Sequence, residues 1–295
     1  MAWVGTEKGA YELGGQRVIG SPESPIRHLT VGRDSTLAVT SHQVWILSRE
    51  GMSAIASAPA GFELNCALAD ESALIGGSGA ALFLLNNGNL EPDDSFASAP
   101  GRDAWYTPWG DPADVRSLAT DIDGTIYVNV HVGGVVCRRA TDPRWRPTLD
   151  IEADVHQVAT IRDRPGWVVA ATALGLAVSS DKAASWQFHD DGLHANYCRA
   201  VASLGSTVFL SASTGSGGRQ SALYRFDVDS KHFDRCSNGL PKWFATNVDT
   251  FCIAIEGDDV LVGDRDGRVF RSSDGGSNWS LTASNLPPIA CLIGS

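Results

Sequence analysis

The stretch VRSLATDIDGTIYVNVHVGGVVCRRATDPRW, Val115 to Trp145, decides the fold. An apolar run ends at an Asp/Gly turn over Asp121–Gly124. A second run, rich in β-branched residues, ends at Gly133–Gly134, and a third run follows. Short β-branched runs broken by such turns read as consecutive antiparallel strands. Here they give a three-stranded meander, with a fourth, edge strand after it.

The same grammar recurs at 26–51, at 64–88 in a more degenerate form, and at 155–186, 198–227 and 251–279, which makes six copies. A seventh is split between the ends. AWVGTEKGAYELGG, at 2–15, matches the second and third strands, and PPIACLIGS, at 287–295, matches the missing first strand. Joining the ends closes a ring and removes the unpaired edges that an open array would expose. Four-stranded units of about 40–45 residues are propeller blades, and seven of them take on the order of 290 residues. The expectation is an all-β, seven-bladed propeller of four-stranded antiparallel blades. It forms one domain over 1–295, with N- and C-terminal strands sharing one blade.

A hydrophobic content of 43% and a charged content of 19% are those of a folded globular chain. A net charge of −11 and a pI near 5.0 argue against nucleic acid as the main partner, because phosphate binding needs a basic face. No apolar run approaches the ~20 residues of a membrane helix, and the N-terminus has no secretory pattern. The six cysteines, at 66, 137, 198, 236, 252 and 291, are scattered and read as reduced core thiols. The expectation is a cytoplasmic monomer without membrane or nucleic-acid partners.

Two strings share a rigid spacing. RSSDGGSNWSL places Ser272, Asp274, Gly276 and Trp279, and VSSDKAASWQF places Ser179, Asp181 and Trp186, with Ala183 where the glycine would stand. The pattern resembles the Asp-box, or BNR repeat, Ser-x-Asp-x-Gly-x-x-Trp, of sialidase-like and sortilin-like propellers. The resemblance implies a structural turn between the third and fourth strands, with Asp holding the turn backbone, Gly at positive φ and Trp packed between blades. It carries no activity. The sialidase branch has an Arg-Ile-Pro motif, and the nearest string here is SPIRHL at 24–29, in the wrong order.

Function is expected where the crossings enter the first strands, around the channel mouth. Aligning the first strands on their apolar pattern leaves a polar slot holding Arg27, Arg116, His156 and Arg199. Asn65 or Leu64, Cys252 or Phe251, and Ala290 stand there in the other blades. Arginines offer planar forks for carboxylate or phosphate. The alternative is that they bridge to carbonyls of the next blade.

The loops feeding this face add Trp105, Tyr106, Trp109, Asn196, Tyr197, Trp243, Asn247, Asp249 and Arg265. Such a mix suits a small-molecule pocket, a protein hot spot or packed lids. His156, with His131 or His194, is the candidate for proton transfer. The three histidines, joined by Asp249 or a cysteine, are also the candidate ligands of a divalent metal, although no sequential ligand spacing supports one. Cys198 and Cys252 are weaker candidates as nucleophiles. The Gly/Ser-rich segment 211–223 reads as a mobile lid or an unconstrained loop.

The reading that follows is a small-molecule-binding propeller, with hydrolase- or lyase-type chemistry on an anionic or polar substrate at the channel mouth. A non-catalytic interaction scaffold and a glycan binder are the alternatives. No organic-cofactor motif is found.

Overall fold

The computed structural model describes every residue except 1, 15–16, 21–23, 33–34, 70–72, 108 and 295. It is a seven-bladed β-propeller. Seven four-stranded antiparallel sheets each run from an inner first strand to an outer fourth strand. The first strands are His28–Val31 (blade I), Leu64–Ala69 (II), Asp114–Thr120 (III), Val155–Thr160 (IV), Tyr197–Leu204 (V), Ile253–Glu256 (VI) and Ile289–Gly294 (VII). Each touches the first strands of both neighbouring blades, so the ring is closed.

Blade VII is the shared blade. Ile289–Gly294 is innermost, and the N-terminus supplies Ala2–Thr6, Gly9–Glu12 and Arg17–Gly20. Val4 faces Leu292 across the junction. The sequence pattern identifies two of the three N-terminal strands; the outermost, Arg17–Gly20, lies beyond the matched segment.

The core lies between the blades. The middle strands are buried on both faces, as in Val168–Thr172 and Gly175–Ser179, where every residue is buried. Tyr127, Phe83, Phe96, Phe209 and Phe226 are fully buried, each worth on the order of 2–3 kcal/mol relative to exposure. Helix is limited to the single turn Asp94–Ala97 and two short 3₁₀ turns among the described residues. All six cysteines are free and buried, as core thiols should be.

The Ser-x-Asp strings occupy the turn between the third and fourth strands of blades IV and VI. Ser272 Oγ donates to Asp274 Oδ1 (2.9 Å) and accepts from the Gly276 N–H (2.9 Å), while Asp274 accepts from the N–H groups of Ser277 and Asn278. Trp279 Nε1 closes the turn onto the Gly276 carbonyl (3.0 Å), and its ring meets Phe209 of blade V edge-on. Ser179, Asp181, Ala183 and Ser185 repeat the network. Ala183 takes the left-handed conformation (φ 61°) that Gly276 takes at φ 82°. These turns lie among interblade packing, on the structural side of the sequence reading.

A bulge recurs on the inner strands and creates the slot. Leu64 and Cys66 pair with consecutive residues of the next strand, which leaves Asn65 over. In the same way the ladder passes over Arg116, His156 and Ala290, and it slips by one residue at Arg199–Ala200. A bulge frees one residue from the ladder and re-aims its side chain. It also strips backbone groups of their partners, and the adjacent blade supplies replacements. The residue after the slot accepts from a backbone N–H of the next blade three times: His28 Nδ1 from Ala67 (3.1 Å), Ser117 Oγ from Val158 (2.9 Å) and Gln157 Oε1 from Val201 (3.2 Å).

Candidate functional site

The slot side chains share a pattern around the ring. Three of them donate to the carbonyl just before the next blade's slot. Arg27 donates to the Leu64 carbonyl (3.1 Å), Asn65 to the Val115 carbonyl (3.3 Å) and His156 Nδ1–H to the Cys198 carbonyl (2.7 Å). Arg27 also donates to Asn65 Oδ1 (2.8 Å) and pairs with Glu63 (2.6 Å). Its guanidinium is therefore engaged by blade II.

Arg116 and Arg199 depart from this pattern. Among the described residues Arg116 has no hydrogen-bond or ion-pair partner, although it is partly buried. Burial pulls its guanidinium pKa below the ordinary arginine value, and repulsion from Arg199 adds to that; Asp249 and Asp114 oppose it only through space. Arg199 donates through Nε to Asp249 (2.7 Å) and through Nη1 to the Tyr197 hydroxyl (3.4 Å). Burial lowers its pKa too, but Asp249 and Tyr197 outweigh burial and the net shift is upward.

Three further groups gather in this sector. His131 ends the second strand of blade III, Asp154 ends the crossing into blade IV, and His156 fills that blade's slot. His131 Nε2 lies 3.2 Å from Asp154 Oδ1, an ion-pair distance without hydrogen-bond alignment, since that oxygen is buried and unpartnered. His156 Nε2 lies 3.6 Å from Asp154 Oδ2 and is itself buried and unpartnered. Burial depresses His156 to a pKa of about 4 against the opposing pull of Asp154, so the ring is neutral at pH 7. Asp154 is raised by burial, but His131, His156 and Arg116 bring it below the ordinary carboxylate value.

The channel is closed beneath this sector. Thr250 Oγ1 reaches the carbonyls of His156 (3.4 Å) and Arg199 (3.3 Å), and the Phe251 N–H donates to Gln157 Oε1 (3.0 Å). Phe251, at φ 66°, extends from blade VI to the His28 ring of blade I, 3.9 Å away between centroids. Its side chain packs against core residues on the far side of the channel. The polar sector thus lies beside a channel that Phe251 spans.

The structure brings together His131, His156, Arg116, Arg199, Tyr197 and Asp249, with the Tyr197 ring 4.7 Å from that of His156. Trp109, 62% exposed, stands over His131 with ring centroids 5.7 Å apart. Tyr106 is at the rim, donating to Glu152 (3.0 Å), and Asn196 is exposed.

Other expected members are engaged elsewhere. Both ring nitrogens of His194 are taken, by the Tyr224 hydroxyl (2.8 Å) and the Gln220 carbonyl (2.8 Å), so it joins neither proton transfer nor a metal. Trp243 is packed between His194 and the Arg235 guanidinium, and Trp105 between Phe96 and Arg102. Arg265 pairs with Glu7 across the blade VI–VII junction. Asn247 Nδ2 donates to the Ser216 carbonyl (3.2 Å), and Thr214 pairs with Arg219 at the neck, so the Gly/Ser segment is a pinned hairpin. Asp249 serves Arg199, not a histidine cluster. Burial raises the thiol pKa values of Cys198 and Cys252, which leaves neither as a nucleophile.

Asp154 is the member that sequence reasoning missed. The signal was present in a repeated dipeptide: Asp-Val precedes the slot in both blade III (114–115) and blade IV (154–155). Two open surface concavities, of about 970 and about 570 Å³, lie instead along blades I and II; the larger is lined by His42, Trp45, Phe62 and Glu63 among others.

No protein-family model and no curated protein sequence matches the chain. Solved structures do. The WD40 β-propeller domain of Doa1 is 14% identical with a TM-score of 0.64, the match covering 98% of this chain and 86% of that one. An ancestral GH74 enzyme is 12% identical with a TM-score of 0.60, covering 95% of this chain and 40% of the enzyme. A chain of the mitotic checkpoint complex is 10% identical with a TM-score of 0.62, covering 89% and 81%. At such identities these likenesses establish one thing, the β-propeller fold.

Proposed function

We propose that the channel mouth binds a small anionic molecule, a carboxylate or phosphate compound, between Arg116 and Arg199. The observation that supports this reading is the unpartnered, partly buried guanidinium of Arg116, set against a second cation, Arg199, whose own partner is a carboxylate. A buried charge without a partner is costly to the fold. A ligand anion would supply what the chain withholds, through the planar fork that suits carboxylate and phosphate. Beside the clamp, His131 and His156 flank Asp154 and are the groups able to move protons, so hydrolase- or lyase-type chemistry is the class this mouth offers. The Ser-x-Asp turns of blades IV and VI support a structural kinship with Asp-box propellers and take no part in binding.

The test is calorimetric and thermal titration with inorganic phosphate, sulfate and a small dicarboxylate. At about 100 times its dissociation constant a binding anion adds about 2.7 kcal/mol of stability. Arg116→Met should abolish that gain, and Arg27→Ala should keep it. Absence of any gain in the wild type, or an equal gain in Arg116→Met, would refute the proposal.

A further inference from the structure

We propose that His131, Asp154 and His156 form a binding site for a divalent transition-metal ion of the zinc or ferrous-iron class. One ligand atom from each residue can be chosen so that all three lie within 4.8 Å of one another. Two imidazoles and a carboxylate are a donor set that suits these ions and leaves coordination positions open.

The arrangement of lone pairs carries the inference. His156 gives its Nδ1–H to the Cys198 carbonyl at 2.7 Å. That bond fixes the tautomer, so Nε2 carries a lone pair and no proton. The lone pair faces Asp154 Oδ2 at 3.6 Å. Two acceptors therefore confront each other, one on a histidine that is 0% exposed and the other on a half-buried aspartate. Neither Nε2 of His156 nor Oδ1 of Asp154 has a hydrogen-bond partner, and His131 Nε2 approaches that same oxygen without alignment. Buried acceptors facing one another are costly unless a cation stands between them. A ring locked by donating its other nitrogen to a backbone carbonyl is the usual support of a metal-ligating histidine.

The backbone is committed to the same end. His156 reaches the cluster because the inner strand bulges there, and Asp154 because it adopts the left-handed region, at φ 46°, as the 3₁₀ turn Ile151–Ala153 ends. Non-glycine residues held in that region are strained and cluster at ligand clamps. Arg116 and Arg199 stand close enough to act on Asp154 and His156 respectively, and their charge opposes a dication. Two imidazoles and a single carboxylate therefore favour a borderline ion that gains from nitrogen ligands over calcium or magnesium, which need oxygen-rich cages. The inference stands apart from the anion reading, since the metal is tested alone.

The experiment is titration of the chelator-treated full chain with Co²⁺ alone, followed by its visible d–d absorption, with Zn²⁺ displacing it. One equivalent should bind to the wild type. Asp154→Asn, near-isosteric and compatible with the left-handed backbone, should weaken binding by about 100-fold or more, the upper range seen when even a supporting group of a metal site is lost. His131→Gln should do the same, and His194→Gln should leave binding unchanged. His156→Gln is the harsher variant, so Asp154→Asn, checked for a native near-ultraviolet spectrum, decides the matter. No Co²⁺ uptake by the wild type, or undiminished uptake by folded Asp154→Asn, would overturn the proposal.

Discussion

Arg27 and Arg116 occupy the same slot at the head of the inner strands of blades I and III, and they spend their charge in opposite ways. Arg27 finds a carboxylate, an amide oxygen and a carbonyl on blade II. Arg116 faces blade IV, whose slot residue, His156, has already given its donor to blade V and keeps only a lone pair. The difference shows that the slot has no fixed role. The bulge delivers a side chain to the channel, and the neighbouring blade decides whether that side chain becomes mortar or remains available.

The comparison is sharpest where the structural side is tested first. Phe251 closes the channel against His28 of blade I. Phe251→Ala should cost about 3 kcal/mol in denaturant unfolding, the scale of truncating a packed aromatic. A loss under about 1 kcal/mol would mean that the ring does not support the inner strands.

His28 adds an acid sensitivity to the same blade. It accepts the Ala67 N–H in a buried position, and burial lowers its pKa from 6.5 to about 3. A depressed histidine binds its proton more weakly in the folded than in the unfolded chain. Its contribution is therefore complete above the unfolded pKa and drains away as pH falls from 6.5 towards 3. By pH 4.5 the loss is about 2.7 kcal/mol at 1.36 kcal/mol per pH unit. His28→Gln keeps an acceptor for Ala67 and removes the titration. Its stability should fall less steeply than that of the wild type between pH 6.5 and 4.5, and equal slopes would remove His28 from the account.

The two Ser-x-Asp turns allow a smaller, local test. At Gly276 an added Cβ would lie 2.6 Å from Phe209 Cε1, and the φ of 82° is already strained for any side chain. Gly276→Ala should cost about 2 kcal/mol. An effect below about 0.5 kcal/mol, the range of an ordinary surface change, would show that the Trp279–Phe209 contact yields easily.

The architecture was legible in the sequence because a propeller repeats its errors and its successes alike: turn residues and β-branched runs recur seven times, and the split blade declares itself by what each end lacks. The slot was legible to within one residue, and the bulge explains the residual ambiguity. An extra residue in the strand shifts the two-residue alternation, so Asn65 and Leu64 could not be told apart by pattern. Asp154 was marked only by an Asp-Val dipeptide shared with blade III, too short a repeat to single it out, and Phe251 was one of two alternatives whose difference is a left-handed backbone turn. His194 looked equivalent to His131 and His156 because sequence gives proximity to a face. Only packing reveals that Tyr224 and Gln220 already hold both of its nitrogens.

The smallest expected effects are the most telling, because they differ in sign. Arg27→Ala leaves Glu63 and Asn65 without their donor at a site where the arginine side chain is 35% exposed. Water replaces part of what is lost, so the cost should be about 1 kcal/mol, with anion binding intact. Arg116→Met removes a partly buried cation that has repulsion from Arg199 and no partner of its own. A flexible apolar chain of similar length fills the space, so the variant should gain about 1 kcal/mol in anion-free buffer while losing anion binding. A residue kept at the expense of stability is kept for something outside the fold. Were both substitutions to destabilise the protein alike, the slot would be mortar all round the ring, and the channel mouth would lose its claim to a ligand.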